Sequence, residues 1–190
     1  MSEIRNLLPD PHPVSVSHWT RIGGGESDIQ VNIIANNDLP QLEVRNSTGG
    51  DGRGVGLLMD LPEGEYVFGL YLHWANAYNI GDQWIEVKQG DVILADCGYN
   101  GYGKYYLTRF DVAQNADIQI ILYLPTSSSN SRFISRYLLL MTKGDWDTMR
   151  NLKNSDGTAA NVRWFAPPKN AAAGVMSAPV LDCGGVIEAT

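Results

Sequence analysis

Aromatic and planar polar side chains alternate with apolar ones in the most regular segments of this sequence. From Tyr66 to Trp74 and from Ile118 to Leu124, every second residue is apolar, as in strands with one face in a core. The other positions, with those of two further strands, give one predicted outer surface: Tyr71, His73, Trp84, Glu86, Arg109 and Gln119. Flat aromatic rings stack on the C–H face of a pyranose, while carboxylate, guanidinium and amide groups hydrogen-bond its hydroxyls. These residue types therefore suit recognition of a sugar.

The same surface has two other interpretations. It would also suit a protein interface, with Trp84 and Tyr71 as aromatic anchors, or a second packed layer of the fold. The segment from Cys97 to Tyr106 adds two candidate binding residues, Tyr99 and Tyr102, in a glycine-rich loop. Tyrosine gives a large, rigid contact area at small entropic cost. The alternative is a hairpin whose tyrosines cover the end of a sheet.

Short strands separated by glycine-, asparagine- and proline-containing turns must position these residues. We predict ten of them: Val14–Ile22, Ile29–Ala35, Gln41–Asn46, Gly54–Leu61, Tyr66–Trp74, Gln83–Lys88, Asp91–Asp96, Lys104–Val112, Asp117–Leu124 and Arg132–Met141. This spacing, with almost no helix, predicts an all-β fold, a jelly-roll β-sandwich.

The C-terminal quarter of the chain has a different pattern. One helix is predicted from Asp145, capped by Gly144-Asp145, with Trp146, Met149 and Leu152 on one side. A short strand is predicted at Val162–Phe165. We therefore predict a sandwich domain over residues 1–165 and a tail over 166–190, packed on the sandwich or on a neighbouring subunit.

Composition excludes several classes of function. The 190 residues carry a formal net charge of −7, which disfavours binding to the phosphates of nucleic acid. No apolar segment is long enough to span a membrane, and the N-terminus has no signal-peptide pattern, so we expect synthesis in a cytoplasm. Cys97 and Cys183 are then expected to be buried free thiols.

No catalytic or metal-binding pattern is present. The sequence lacks a Gly-x-Ser-x-Gly elbow, and His12 and His18 do not have a zinc spacing. Glu86 is the one carboxylate on the predicted outer surface, whereas glycan cleavage usually needs two. We predict a protein that is not an enzyme and that has no metal site or cofactor.

Three segments resemble jelly-roll carbohydrate-binding modules, including those of bacteriophage minor tail and other virion proteins. Asn6–Pro11 followed by Trp19 resembles their opening, Leu61–Phe68 resembles a Leu-x-x-Gly-x-Tyr-x-Phe strand, and Phe110–Ile120 resembles their Phe-x-Val and Ile-x-Ile strand pair. In the phage domains an acidic-Trp helix and a short aromatic strand follow, as in Leu140–Trp146 and then Arg163–Phe165. The resemblance covers residues 6–165.

Two segments depart from the pattern of these modules. Pro11–Val14 stands where a Phe-Glu-x-Gly segment helps to hold a structural calcium, and Ser135-Arg136-Tyr137 replaces an Asp pair. The departures argue against calcium.

The resemblance implies a non-enzymatic carbohydrate-binding-like domain of a phage or prophage virion protein, such as a tail protein, that attaches to cell-surface glycan. The virion is then the expected location. The alternative is a structural virion component, a decoration, fibre or adaptor protein, that forms a homo-oligomer with neighbouring subunits without binding sugar. The apolar tail Val175–Ile187 favours this alternative.

Overall fold

The computed structural model describes residues 6–9, 13–36, 39–125, 129–151, 180–182 and 185–187. Twelve strands and one helix lie in these ranges: β1 (Thr20–Ile22), β2 (Ile29–Asn36), β3 (Leu39–Asn46), β4 (Gly54–Leu61), β5 (Gly64–Asn76), β6 (Gln83–Gln89), β7 (Val92–Gly98), β8 (Lys104–Val112), β9 (Ala116–Tyr123), β10 (Arg132–Thr142), α1 (Lys143–Arg150), β11 (Val180–Asp182) and β12 (Gly185–Ile187).

The strands form two sheets. The five-stranded sheet has the order β1-β4-β9-β6-β7, and the seven-stranded sheet has the order β12-β11-β8-β5-β10-β3-β2. Neighbouring strands are antiparallel, except that β11 pairs with β8 in parallel. The predicted all-β jelly-roll β-sandwich with one short helix is confirmed for the described residues.

The main core lies between the two sheets and follows the alternation of β5 and β9. Phe68, Leu70 and Leu72 of β5 are completely buried, and so are Ile118 and Ile120 of β9. All five belong to one hydrophobic cluster to which both sheets contribute. Because side chains on a strand alternate in direction, their neighbours in each strand face away from this core.

The predicted first strand, Val14–Ile22, is wrong at its start. The Trp19 backbone N–H donates to the Val16 carbonyl over 3.0 Å, and the Ser17 N–H donates to Ser15 Oγ over 3.1 Å. These local bonds turn the chain, so β1 begins only at Thr20. The other nine predicted strands agree with the observed bounds to within two residues.

Helix α1 covers part of the outer face of the seven-stranded sheet. It begins at Lys143 rather than at the predicted Asp145, because Thr142 is the N-cap and its Oγ1 accepts the Asp145 N–H over 3.1 Å. Trp146 and Met149 are buried against a second apolar cluster of the sheet: Val67, Tyr105, Leu107, Leu139 and Met141. Leu152, predicted on the same side, lies outside the described residues.

The side chain of Asn6 holds the N-terminal segment against β10. Its Nδ2 donates to the Leu138 carbonyl over 3.0 Å, and its Oδ1 accepts the Leu140 N–H over 3.0 Å. The β10–β5 pairing is irregular between Arg136 and Leu139, so Asn6 satisfies backbone groups at this irregularity.

Replacing Asn6 with alanine is expected to lower the free energy of unfolding by about 1–3 kcal/mol, because each lost bond contributes about 0.5–1.5 kcal/mol. Urea unfolding measures the change. The matched control is Asn32→Ala, since the Asn32 side chain is exposed and bonds only to Glu43 in the described structure. Equal stability of both variants would contradict this role for Asn6.

Cys97 is disulfide-bonded, so the prediction of a free thiol there is wrong. The sequence contains one other cysteine, Cys183, which lies outside the described residues. The prediction rested on the compartment expected for a chain without a visible signal peptide, and neither composition nor strand pattern tests that assumption.

The described part of the tail is strand. The backbone of β11 pairs with Tyr105–Leu107 of β8, and β12 extends the sheet beyond β11. The strand predicted at Val162–Phe165, and the boundary predicted between residues 165 and 166, lie outside the described residues. The described helix has neither the length nor the apolarity that crossing a membrane requires.

Candidate functional site

The six residues predicted to share one outer surface lie in three different places. Tyr71 and His73 of β5 and Arg109 of β8 are on the outer face of the seven-stranded sheet. Glu86 and Gln119 are on the five-stranded sheet, where β6 pairs with β9. The prediction of a single surface is wrong because β5 and β9 belong to opposite sheets. Their outward positions therefore face opposite sides of the sandwich.

Trp84 is completely buried in the core, so its predicted outward position is wrong. The β6–β7 pairing is irregular between Gln83 and Ile85, and Trp84 is the extra residue there. A bulge of this kind breaks the alternation, so Trp84 and Ile85 are both buried. The Trp84 ring makes edge-to-face contacts with Phe133 at 4.7 Å, Tyr78 at 5.6 Å and Tyr106 at 6.0 Å between centroids.

Glu86 does point away from the core, but its carboxylate is buried and already bonded. Its Oε2 accepts from Gln83 Nε2 over 2.5 Å, and its Oε1 accepts from the Tyr123 hydroxyl over 3.0 Å. Lys88 Nζ lies 3.5 Å from Oε1. This network occupies the carboxylate and stabilises the five-stranded sheet, so Glu86 has a structural role.

The two predicted loop tyrosines have different environments. Tyr99 is buried, and its ring stacks on Tyr78 at 4.7 Å. Tyr102 is 54% exposed. Beneath the loop, the Tyr106 hydroxyl donates to the Gly101 carbonyl over 2.6 Å and accepts the Asn100 N–H over 2.8 Å. Tyr99 and Tyr106 thus cover the end of a sheet, and Tyr102 is available for contact.

Tyr106 and Tyr123 are predicted to make the protein less stable at alkaline pH. Burial raises the pKa of Tyr106 to about 12, and burial followed by the nearby Glu86 raises the pKa of Tyr123 to about 12. The unfolded chain releases phenolic protons near pH 10, so stability that is complete below about pH 10 is lost as the pH rises towards 12. Urea unfolding from pH 9 to 12 measures this fall, which Tyr106→Phe should make shallower than Tyr102→Phe does. The same pH dependence in both variants would contradict the assignment.

Three tyrosines form a contiguous platform on the outer face of the seven-stranded sheet. Tyr71 of β5 pairs in register with Tyr105 of β8 and with Arg136 of β10. The ring centroid of Tyr71 is 5.3 Å from that of Tyr105 and 6.3 Å from that of Tyr137. The rings of Tyr105 and Tyr137 are stacked at 6.4 Å. His73 lies at the edge, 6.3 Å from Tyr71.

Two irregularities of the β5–β10 pairing turn Trp74 and Tyr137 towards the outer face of the sheet. Ile134 pairs with Trp74 and Ser135 with Leu72, so His73 is an extra residue in β5. Leu72 is buried in the core and Trp74 is half-exposed, which the strict alternation of β5 does not predict. Between Arg136 and Leu139, β10 has one residue more than β5, and Tyr137 has a φ of +54°. A positive φ is strained for a non-glycine residue, and such strain is frequent at functional sites.

Two arginines lie over the aromatic rings of this surface. The Arg136 guanidinium is 5.0 Å from the ring of Tyr71 and 4.9 Å from that of Tyr137. The Arg132 guanidinium is 4.6 Å from the ring of Trp74. We name the surface the tyrosine–arginine face, and its members are Tyr71, His73, Trp74, Tyr105, Arg132, Arg136 and Tyr137.

The two arginines of the tyrosine–arginine face differ in whether they form an ion pair. Arg132 forms an ion pair with Glu43 at 3.0 Å. Arg136 has no ion pair among the described residues, and its buried Nε has no hydrogen-bond partner there. Burial, and then the Arg136 charge, lower the pKa of His73 below its usual value, so His73 is neutral at pH 7. Within the described part of the chain, the charge of Arg136 on this face is therefore uncompensated.

Sequence reasoning found part of this face. Tyr71 and His73 were predicted from the alternation of β5. Trp74 and Tyr137 were missed because bulges set their directions, and Arg132 and Arg136 were missed although β10 alternates regularly between them. Arg109, the remaining predicted residue, pairs with Val67 beside helix α1, away from the three tyrosines. The polar pair Ser135-Arg136 inside the apolar β10 was the one sequence signal that could have indicated the site.

No group of three or more His, Cys, Asp or Glu side chains in the described ranges could hold a metal ion. The tyrosine–arginine face offers aromatic rings and hydrogen-bond donors rather than carboxylate ligands. Such a surface can stack against flat or apolar parts of a ligand and donate to its oxygens. The absence of a calcium site stays a prediction from the sequence.

Comparison with solved structures places the fold among carbohydrate-binding modules. The chain is similar to the CBM22-1 xylan-binding domain from Paenibacillus barcinonensis Xyn10C, with a TM-score of 0.51 and 10% identity over 69% of this chain and 89% of that one. It matches the tandem CBM22-1-CBM22-2 domain of the same protein with the same score and identity, over 43% of the tandem chain. TmCBM61 in complex with beta-1,4-galactotriose matches with a TM-score of 0.45 and 14% identity, over 73% of this chain and 99% of that one.

No protein-family model matches the chain, and no curated protein sequence matches it. At 10% identity the likeness to the CBM22-1 domain concerns the fold alone. The fold is therefore a β-sandwich like that of carbohydrate-binding modules, and one outer face of it carries tyrosines and arginines.

Proposed function

We propose that this chain is a non-enzymatic domain that binds saccharide on the tyrosine–arginine face. The observation that carries the proposal is the pair of half-buried rings, Tyr71 and Tyr137, which pack with the buried Tyr105 at centroid distances of 5.3–6.4 Å on the outer face of one sheet. The fold likeness to a xylan-binding domain supports it.

The chemistry of the face suits a sugar. Tyrosine rings cover the C–H face of a pyranose and exclude water from it. The arginines, held above Trp74, Tyr71 and Tyr137, present several N–H donors in a fixed plane to ring and hydroxyl oxygens. Glu43, bonded to both Arg132 and Asn32, supplies an acceptor at the edge of the face.

Calorimetry and a glycan array against neutral and acidic polysaccharides test the proposal. We expect at least one saccharide to bind with one site per chain. A blank result across the whole panel would overturn it. A blank panel together with a stable oligomer in sedimentation velocity would favour the alternative, a structural component that oligomerises.

The finer form of this proposal is attachment of a phage or prophage virion to cell-surface glycan. It is supported by the sequence resemblance of residues 6–165 to the jelly-roll domains of phage tail proteins. Mass spectrometry of particles purified from the producing bacterium after prophage induction tests it. We expect peptides of this chain in the particle fraction, and finding them only in the cell fraction would contradict this context.

A further inference from the structure

The positive charge of Arg136 indicates the class of saccharide that suits the tyrosine–arginine face. The inference rests on the proposed function and extends it: we propose that the tyrosine–arginine face takes an acidic saccharide, whose uronate carboxylate pairs with the Arg136 guanidinium. The juxtaposition that carries it is a guanidinium that has no ion pair among the described residues and lies over the rings of Tyr71 and Tyr137.

The two arginines of the face differ in their counter-ions. Both lie over aromatic rings, at 4.6 Å for Arg132 and at 4.9 and 5.0 Å for Arg136. Arg132 has Glu43 as its counter-ion, whereas within the described ranges Arg136 has no ion pair and no hydrogen bond to a side chain. A half-buried cation loses part of its hydration free energy. Only a partner of opposite charge compensates fully for that loss.

A second unpaired donor lies beside Arg136 on the neighbouring strand, β3. Leu42 of β3 pairs with Ser135 of β10, which places Gln41 beside Arg136 in the sheet. Gln41 is 1% exposed, and its Nε2 has no hydrogen-bond partner among the described residues. Two nitrogen donors without acceptors, Gln41 Nε2 and Arg136 Nε, therefore lie at adjacent sheet positions. Both atoms are buried, so their unpaired N–H dipoles act by adding to the positive potential at the Arg136 guanidinium, which favours an anionic ligand.

The charge of Arg136 lies next to the aromatic rings of the face. The Arg136 guanidinium contacts Tyr71 and Tyr137, the two rings that would stack on a pyranose. A carboxylate carried on the sugar ring itself reaches the guanidinium while the ring stays on the platform. Arginine binds carboxylates in a planar, bidentate geometry, which favours a uronate over a neutral sugar.

The test uses matched pairs of probes: trisaccharides of galacturonate, glucuronate and mannuronate, each with its methyl ester. Esterification removes the charge and keeps the sugar ring. We expect the wild-type protein to bind at least one acid about tenfold more tightly than its ester. The affinity for the acid should fall between 50 mM and 500 mM salt, and that for the ester should not.

Two variants assign the preference to a residue. Arg136→Gln should lower the affinity for the acid to that for the ester, so that the preference disappears, and its urea unfolding curve shows that the variant is folded. Arg132→Gln is the matched control, because Arg132 is already paired with Glu43, and it should keep the preference.

The outcomes separate this inference from the proposed function. Equal binding of acid and ester by the wild type, or a preference that survives in Arg136→Gln, would overturn the inference and leave saccharide binding intact. No binding of any acid or ester would also overturn it. If the neutral polysaccharides fail as well, the proposed function falls with it.

Discussion

Replacing Trp84 with alanine is expected to lower the free energy of unfolding by about 3–5 kcal/mol, the usual cost of deleting a buried large aromatic side chain. The Trp84 ring is completely buried and contacts Phe133, Tyr78 and Tyr106, which belong to three different parts of the sandwich. Removing it leaves a cavity between the sheets that these rigid rings cannot fill. Urea unfolding followed by tryptophan fluorescence and circular dichroism measures the change.

Two control variants make this expectation specific. Trp74→Ala removes the same type of side chain from the half-exposed outer face, where it packs against Arg132, and should cost about 1 kcal/mol. Trp84→Phe keeps most of the ring and removes the indole N–H, which has no partner in the described structure, so it should cost less than Trp84→Ala. Loss of saccharide binding by Trp84→Ala at unchanged stability would contradict the buried position.

Replacing Tyr71 with alanine is expected to weaken saccharide binding about 30-fold, which corresponds to about 2 kcal/mol, the cost typical of a binding hot spot. Tyr71 is the centre of the platform, since its ring contacts Tyr105, Tyr137, His73 and the Arg136 guanidinium. Its removal takes away the ring that would stack on the sugar and also one support of Arg136. Calorimetry with the tightest-binding saccharide of the panel measures the loss.

Tyr102→Ala is the matched control for Tyr71→Ala. Tyr102 is a 54% exposed tyrosine of the glycine-rich loop, outside the tyrosine–arginine face. This variant should bind the saccharide as the wild type does. Equal losses in both variants, or a loss in Tyr102→Ala alone, would move the site to the loop.

The strands and the inner side of the fold could be predicted from the sequence because they follow local rules. The even positions of β5 from Tyr66 to Leu72, and those of β9, are buried as their alternation indicates. Turn residues delimit the strands, so the bounds from β2 to β10 agree closely with the prediction. Which strands share a sheet depends on contacts distant in sequence, and this is why Glu86 and Tyr71 were assigned to one surface.

The candidate site could be predicted only in part because bulges set the directions of Trp74 and Tyr137. A bulge shifts the alternation by one residue, and its location depends on the pairing partner rather than on the strand itself. In β6 it turns Trp84 inwards, and in the β5–β10 pair it turns Trp74 and Tyr137 outwards. Tyr71 precedes the shift in β5 and His73 lies at it, so the alternation of β5 identified both residues correctly.

Nuclear magnetic resonance titration of the isotopically labelled protein with its tightest-binding saccharide tests the central claim most directly. The claim is that the outer face of the seven-stranded sheet is the binding surface. We expect the largest shift changes at Tyr71, His73, Trp74 and Arg136, with no change at Gln119 and Tyr123 on the opposite sheet. The largest changes at Gln119 and Tyr123, or changes confined to the loop around Tyr102, would contradict it.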